Sequence, residues 1–86
     1  SKLHKVEEIL VAHRVKYLMI NTSDEVIKVS CEREMSAIVA KKFLALEFKD
    51  FSFSIEKIDL KTLYQNFDFE ENSYTYYVIG IKIKEE

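Results

Sequence analysis

A long stretch near the middle of the chain, residues 32–48, limits the possible folds more than any other feature. It reads EREMSAIVAKKFLALEF, contains neither glycine nor proline, and is flanked by segments in which apolar and polar residues alternate. The helical spacing of its apolar residues predicts one amphipathic helix. Since strands are predicted on both sides, we expect an α+β fold in which this one main helix packs on one face of a four-stranded antiparallel sheet.

Apolar residues fall on two sides of the predicted helix. At about 100° per residue, one side is a broad face made of large side chains, namely Met35, Ile38, Val39, Phe43 and Leu46. Nearly opposite lies a narrow stripe, made of Ala37, Ala40, Leu44 and Phe48. Because the broad face is larger, we expect it to cover the sheet. The narrow stripe then needs another cover, either the chain's own segment 61–72 or a partner protein.

The residues before this helix predict a β-hairpin. Residues 9–20 favour a strand, although a helix is the open alternative, because one helical face would collect Leu3, Val6, Leu10 and His13. Residues 21–24 are turn formers, and residues 26–31 predict the second strand. Ser30 is then placed to cap the main helix, and acidic residues in its first turn suit the helix dipole.

The residues after the helix complete the order β-β-α-β-β. A strand with apolar residues at every second position begins at Phe51, and a change of phase predicts a bulge near Lys57. A capping-box pattern predicts one helical turn at residues 62–65, and an acidic, aromatic loop follows at residues 67–73. Residues 74–84 predict the last strand, whose core-facing residues are Tyr77, Ile79, Ile81 and Ile83.

Length and composition narrow the class of protein. The 86 residues predict one compact domain spanning residues 1–86. Thirteen basic and fifteen acidic residues give a net charge of −2, which argues against a dedicated nucleic-acid binder. We recognise no membrane-spanning segment and no signal peptide, so we expect a cytoplasmic protein. The abundance of Lys, Ile, Glu, Phe and Tyr is associated with AT-rich genomes, including those of phages.

Catalytic and metal-binding patterns are not recognisable in the sequence. Three residues that bind metals elsewhere, His4, His13 and Cys31, have no characteristic spacing, so we expect no metal site. Cys31 fits a small buried hydrophobic residue, because a nucleophilic cysteine needs a lowered pKa. The only glycine, Gly80, lies in a predicted strand rather than in a phosphate loop. We therefore expect no cofactor and no enzymatic activity.

Two surfaces could bind a macromolecule. The first combines the narrow stripe with aromatic residues of the acidic loop, and its predicted protein-binding residues are Ala37, Ala40, Leu44, Phe48, Tyr64, Phe67 and Phe69. Aromatic side chains with a charged rim are typical of protein interfaces. The second is the sheet face away from the helix, with predicted nucleic-acid-binding residues Arg14, Lys16, Lys28, Tyr76, Lys82 and Lys84. Basic residues beside aromatic rings suit single-stranded nucleic acid.

These patterns predict a non-catalytic protein-binding module. We expect an accessory regulator or inhibitor, encoded by a phage or another mobile element, that acts by occupying the surface of a partner protein. The partner is an unidentified protein or a second copy of the chain, since small residues let two helices approach closely. The alternative function is single-stranded nucleic-acid binding through the basic sheet face.

Overall fold

The computed structural model describes residues 1–60 and 75–83, which form two helices and a four-stranded antiparallel sheet. The elements follow the order α1 (Lys2–Ala12), β1 (Met19–Ser23), β2 (Val26–Cys31), α2 (Glu34–Glu47), β3 (Phe51–Asp59) and β4 (Thr75–Ile83). The strands lie side by side in the order β1-β2-β4-β3. The predicted α+β class and antiparallel sheet are confirmed. Within the described residues, no helix combines the length and apolar character that a membrane crossing requires.

The first element is a helix, as in the open alternative for this segment. Of the strand favoured at residues 9–20, only Met19 and Ile20 lie in a strand. Three apolar residues at helical spacing, Val6, Ile9 and Leu10, are buried on one side of α1. The hydroxyl oxygen of Ser1 accepts a hydrogen bond from the backbone N–H of His4, at 3.3 Å, and so caps the helix. A second helix therefore precedes the predicted one and contributes its own residues to the core.

The end of α1 turns the chain through a left-handed residue. Arg14 has a φ of 56°, the conformation that usually selects glycine after a helix. The backbone N–H of Val15 donates to the carbonyl of Leu10 at 2.9 Å, and that of Arg14 donates to Val11 at 3.1 Å. These two bonds are those of a Schellman motif. They satisfy the last carbonyls of the helix and direct residues 13–18 toward the sheet.

A two-residue turn joins β1 and β2. Asp24 and Glu25 both have positive φ, 52° and 64°, and stand between the paired residues Ser23 and Val26. Positive φ at both central positions is the type I′ geometry, whose twist matches that of a hairpin. The predicted hairpin is therefore present, but its turn lies later than residues 21–24, because Asn21, Thr22 and Ser23 belong to β1.

The predicted main helix is present as α2, which is 14 residues long. Its N-cap is Arg33, which has an extended backbone and makes no side-chain capping bond. The predicted cap, Ser30, is instead buried in β2, where it pairs with Met19 and Val78. Glu34 lies in the first turn, where a negative charge is favourable.

The pairing of β3 with β4 is continuous, so the bulge predicted near Lys57 is wrong. The register runs without interruption from Phe51 opposite Ile83 to Asp59 opposite Thr75. The change of phase arises because Ile58 lies on the opposite sheet face from Ile55 within one regular strand.

The core forms between the two helices and one sheet face. Cross-strand partners share a face, and the buried residues of β2 and β4 on that face are Ile27, Val29, Cys31, Ile79 and Ile81. They form one cluster with the buried residues of α1 and with Ala37, Ala40 and Leu44 of α2. Because the latter three are fully buried, the narrow stripe packs on the sheet. The prediction that the broad face covers the sheet is wrong.

Packing volume explains this reversal. The side chains of Ala37 and Ala40 are small, so the α2 backbone lies close to the sheet and Leu44 supplies the one large fully buried contact of the helix. Val6 and Leu10 of α1, both at 0% exposure, fill space that the predicted single helix would have had to fill alone. The large residues of the broad face are therefore not all required in the core.

Candidate protein-interaction surface

The structure changes the assignment of the predicted protein-binding residues. Ala37, Ala40 and Leu44 are at 0% exposure, so they belong to the core. The prediction that these three residues contact a partner protein is therefore wrong. Phe48 is half-buried, and its ring packs edge-on against Phe51 with centroids 5.3 Å apart. Of the seven predicted contacts, the remaining three lie outside the described residues: Tyr64, Phe67 and Phe69.

The solvent side of α2 carries the exposed apolar side chains instead. We define the outer face of α2 by five exposed residues, Met35, Ile38, Lys42, Ala45 and Leu46. Met35 is 65% exposed, Ile38 45% and Leu46 62%. At about 100° per residue, Met35 lies opposite the buried Leu44 on the helix. One helix thus has two apolar sides, of which the sheet covers only one.

The side of α2 nearest α1 is closed by an aromatic stack. The ring of His13, which follows α1, lies parallel to the ring of Phe43, with centroids 3.8 Å apart and an interplanar angle of 9°. Phe43 and its neighbour Val39 are half-buried. Within the described part of the chain, these two members of the predicted broad face are therefore less exposed than Met35, Ile38 and Leu46.

A concave region adjoins the first turn of α2, next to Met35. Its volume is about 390 Å³, and its lining comprises His13, Arg14, Val15, Lys16, Glu32, Arg33, Met35, Ser36 and Val39. Three basic side chains and one acidic side chain contribute to this lining. The outer face thus continues, at its N-terminal end, into a cleft bordered mainly by positive charge.

The predicted nucleic-acid-binding residues are divided between two places. Lys28 pairs with Gly80, and therefore lies on the same sheet face as Tyr76 and Lys82, the face away from the core. Glu56, opposite Val78, adds a negative charge to that face. The remaining predicted residues are elsewhere: Arg14 and Lys16 lie in the connection between α1 and β1, which corrects their placement on a strand, and Lys84 lies outside the described residues.

The cysteine and histidine side chains considered for catalysis or metal binding lie in surroundings that do not favour either. Cys31 is a free thiol at 0% exposure, and burial raises its pKa, which opposes formation of a nucleophilic thiolate. His4 Nε2 lies 3.1 Å from the carboxylate of Glu8, one turn later on α1. Among residues 1–60 and 75–83, no three His, Cys, Asp or Glu side chains are grouped so that they could hold a metal ion.

The sequence does not identify the outer face when side-chain size is the guide to burial, because the larger apolar residues of α2 are on the exposed side. The signal that could have identified it is the pair of alanines, Ala37 and Ala40, since small residues mark the side of a helix that approaches other backbone closely. Large apolar residues on the opposite side, such as Met35 and Leu46, then become candidates for exposure.

Comparisons with protein-family models, with curated proteins and with solved structures found no match to this chain.

Proposed function

We propose that this chain is a non-catalytic protein-binding module that contacts its partner through the outer face of α2. The observation that carries the proposal is the exposure of three large apolar side chains on one side of a single helix, Met35, Ile38 and Leu46. As an accessory regulator or inhibitor, the protein acts by occupying a surface of the partner.

The composition of the outer face supports a protein partner. Exposed apolar residues that lie together on a polar-rimmed surface are typical of interaction sites, whereas single exposed apolar residues are ordinary. Methionine is enriched at interfaces, and its flexible side chain adapts to the shape of a partner. Lys42 lies within this face, where its aliphatic stem extends the apolar area and its ammonium group remains in water.

The same residues contribute little to folding in this arrangement. Leu46 is 62% exposed and Met35 is 65% exposed, so most of each side chain is in water in the isolated protein. Polar residues at these positions would keep α2 equally helical and would improve solubility. Binding gives the apolar residues a role that the fold of the isolated chain does not.

Site-specific photo-crosslinking tests the proposal. A benzophenone amino acid replaces Ile38 on the outer face, and in a control protein it replaces Glu47, which is exposed on the same helix outside that face. Each protein is irradiated in extract of the source cells and in purified form. We expect adducts from position 38 that an excess of unlabelled wild-type chain prevents, and few adducts from position 47.

A competitor variant makes the test specific. Excess Met35→Glu/Leu46→Glu chain, folded by circular dichroism, should not prevent the adducts at position 38, because it carries charges where the apolar contacts form. Equal adduct yields from positions 38 and 47, or no adducts in any preparation, would remove the support for the outer face as a binding surface. Mass spectrometry of the adduct identifies it as a second copy or a different protein.

A further inference from the structure

Two oppositely charged residues of α2, Glu34 and Lys42, lie at equal distances on either side of Ile38. Glu34 precedes this residue by four positions and Lys42 follows it by four, so the three side chains form one row along the helix. Both charged residues are exposed, and Ile38 between them is 45% exposed. A negative group, an apolar group and a positive group thus follow one another at intervals of about 6 Å, given a rise of 1.5 Å per residue.

This row is complementary to a copy of itself that runs in the opposite direction. In an antiparallel pair centred on Ile38, Glu34 of each copy faces Lys42 of the other, and the two isoleucines meet at the centre. A parallel pair would place Glu34 against Glu34 and Lys42 against Lys42, and both contacts would be repulsive. Antiparallel helices also oppose their dipoles favourably. The charge pattern therefore selects one of the two symmetric arrangements.

We propose that the occupant of the outer face is a second copy of this chain, bound by a two-fold, antiparallel contact between the two α2 helices. This inference rests on the proposed function, because it names the partner of the same surface. A two-fold contact uses one patch on both molecules, so a self-complementary row is the pattern that it requires. The Glu34–Lys42 pair forms twice, once at either end of the central pair of isoleucines.

The size of the surface sets the strength of the association. A 14-residue helix is about 21 Å long, and one of its sides is smaller than the roughly 800 Å² per partner of a standard interface. We therefore expect a weak dimer, with a dissociation constant of about 10–100 µM, equivalent to about −5.5 to −7 kcal/mol. Added salt weakens it, because the ion pairs at the rim are screened.

Analytical ultracentrifugation of purified chains tests the dimer and its geometry together. Wild type is measured from about 5 µM to about 500 µM, a range that brackets the expected dissociation constant. Glu34→Lys alone places like charges in both contacts between positions 34 and 42, and Lys42→Glu alone does the same. Each single variant should therefore be monomeric. A mixture of the two variants restores both attractive pairs, and so does the double variant. We expect dimers in both cases.

Matched controls separate this contact from general effects of charge and folding. Glu47→Lys makes the same charge change on an exposed part of α2 outside the outer face and should leave the dimer unchanged. Ile38→Glu should abolish the dimer while circular dichroism remains that of the wild type. Loss of the dimer in each single variant supports the antiparallel orientation, because a parallel pair would hold two like-charge contacts in the wild type and in the variants alike. Restored association in the mixture shows that pairing between Glu and Lys at these positions holds the two copies together.

Three results would overturn the inference. Wild type that is monomeric throughout the concentration range excludes a second copy as occupant, and position 38 adducts to a different protein would then leave the proposed function standing. A dimer that survives Ile38→Glu uses another surface. A dimer that is lost in the single charge variants but not restored in their mixture contradicts the antiparallel arrangement.

Discussion

Two leucines on α2 form a matched pair that tests which side of the helix belongs to the core. Leu44 is at 0% exposure against the sheet, whereas Leu46, two residues later, is 62% exposed. Leu44→Ala removes a fully buried side chain and leaves a cavity, which costs about 3 kcal/mol of unfolding free energy within the usual range of about 2–5 kcal/mol. Leu46→Ala removes atoms that are mostly in water.

For Leu46→Ala the expected loss is less than about 0.5 kcal/mol, because alanine is also the strongest helix former. Urea unfolding followed by circular dichroism measures both changes, and equal m-values show that the unfolded states are comparable. At about 4–8 °C per kcal/mol for a chain of this size, the loss of about 3 kcal/mol in Leu44→Ala should lower the melting temperature by about 12–24 °C. The pair shares residue type, helix and substitution, so only burial differs.

A result in which Leu46→Ala costs as much as Leu44→Ala would refute the assignment of the two faces. The broad face would then be in the core, as its large side chains first suggest. Met35 and Ile38 would no longer be free to contact a partner, and the proposed function and the proposed dimer would both be withdrawn.

Further substitutions test other parts of the structure. Arg14→Gly and Glu25→Gly should each raise the unfolding free energy by about 0.5–1 kcal/mol in urea titrations, because glycine adopts positive φ without steric cost; lower stability in both would contradict the turn geometry. Burial raises the pKa of the Cys31 thiol, so above about pH 8.5 the thiol ionises in the unfolded chain but stays protonated in the folded one. The free energy of unfolding should therefore fall with rising pH, and it should fall less steeply in Cys31→Val. Equal pH slopes in the two proteins would contradict this. By fluorescence anisotropy we expect no binding of single-stranded DNA at micromolar protein in about 50 mM salt. Saturable binding that Lys82→Glu removes and Lys57→Glu preserves would favour the alternative function.

The position of α2 was predictable from the sequence because its helical period is sustained over the whole element. The bounds Glu34–Glu47 fall within the predicted residues 32–48. The assignment of its two faces was not predictable in the same way, since it depends on what else reaches the core. Once α1 contributes Val6 and Leu10, the sheet requires only a thin contact from α2, and small residues provide it.

The missed helix and the displaced turn have a common physical origin. Glycine usually marks positions of positive φ, but the only glycine in the chain lies in β4. The three described non-glycine residues with positive φ are Arg14, Asp24 and Glu25. Arginine and glutamate give no turn signal, so the end of α1 was not recognisable from the sequence and the hairpin turn was predicted too early in the chain.

The one glycine lies in a strand, as the sequence predicts, and not in a turn. Gly80 lies opposite Ser54 in the β3–β4 ladder, and a Cβ atom on it would be 2.8 Å from the Ser54 Oγ. That distance is too short for an ordinary contact, so a side chain at this position requires the serine hydroxyl to rotate away. The glycine therefore accommodates a cross-strand neighbour, and the turns are formed by residues that adopt positive φ less readily.

The fold requires only one side of α2, and the outer face remains available for binding. The fold uses the narrow stripe through Leu44 and fixes the helix on the sheet, so the outer face is presented on a rigid element rather than on a loop. A rigid presentation limits the ordering entropy that binding must overcome. If Leu46→Ala leaves stability unchanged and Ile38→Glu abolishes association, the two sides of one helix have separate functions, one for folding and one for recognition. If both substitutions act only on stability, the apolar outer face is a structural feature and the search for a binding surface moves to the basic cleft beside Met35.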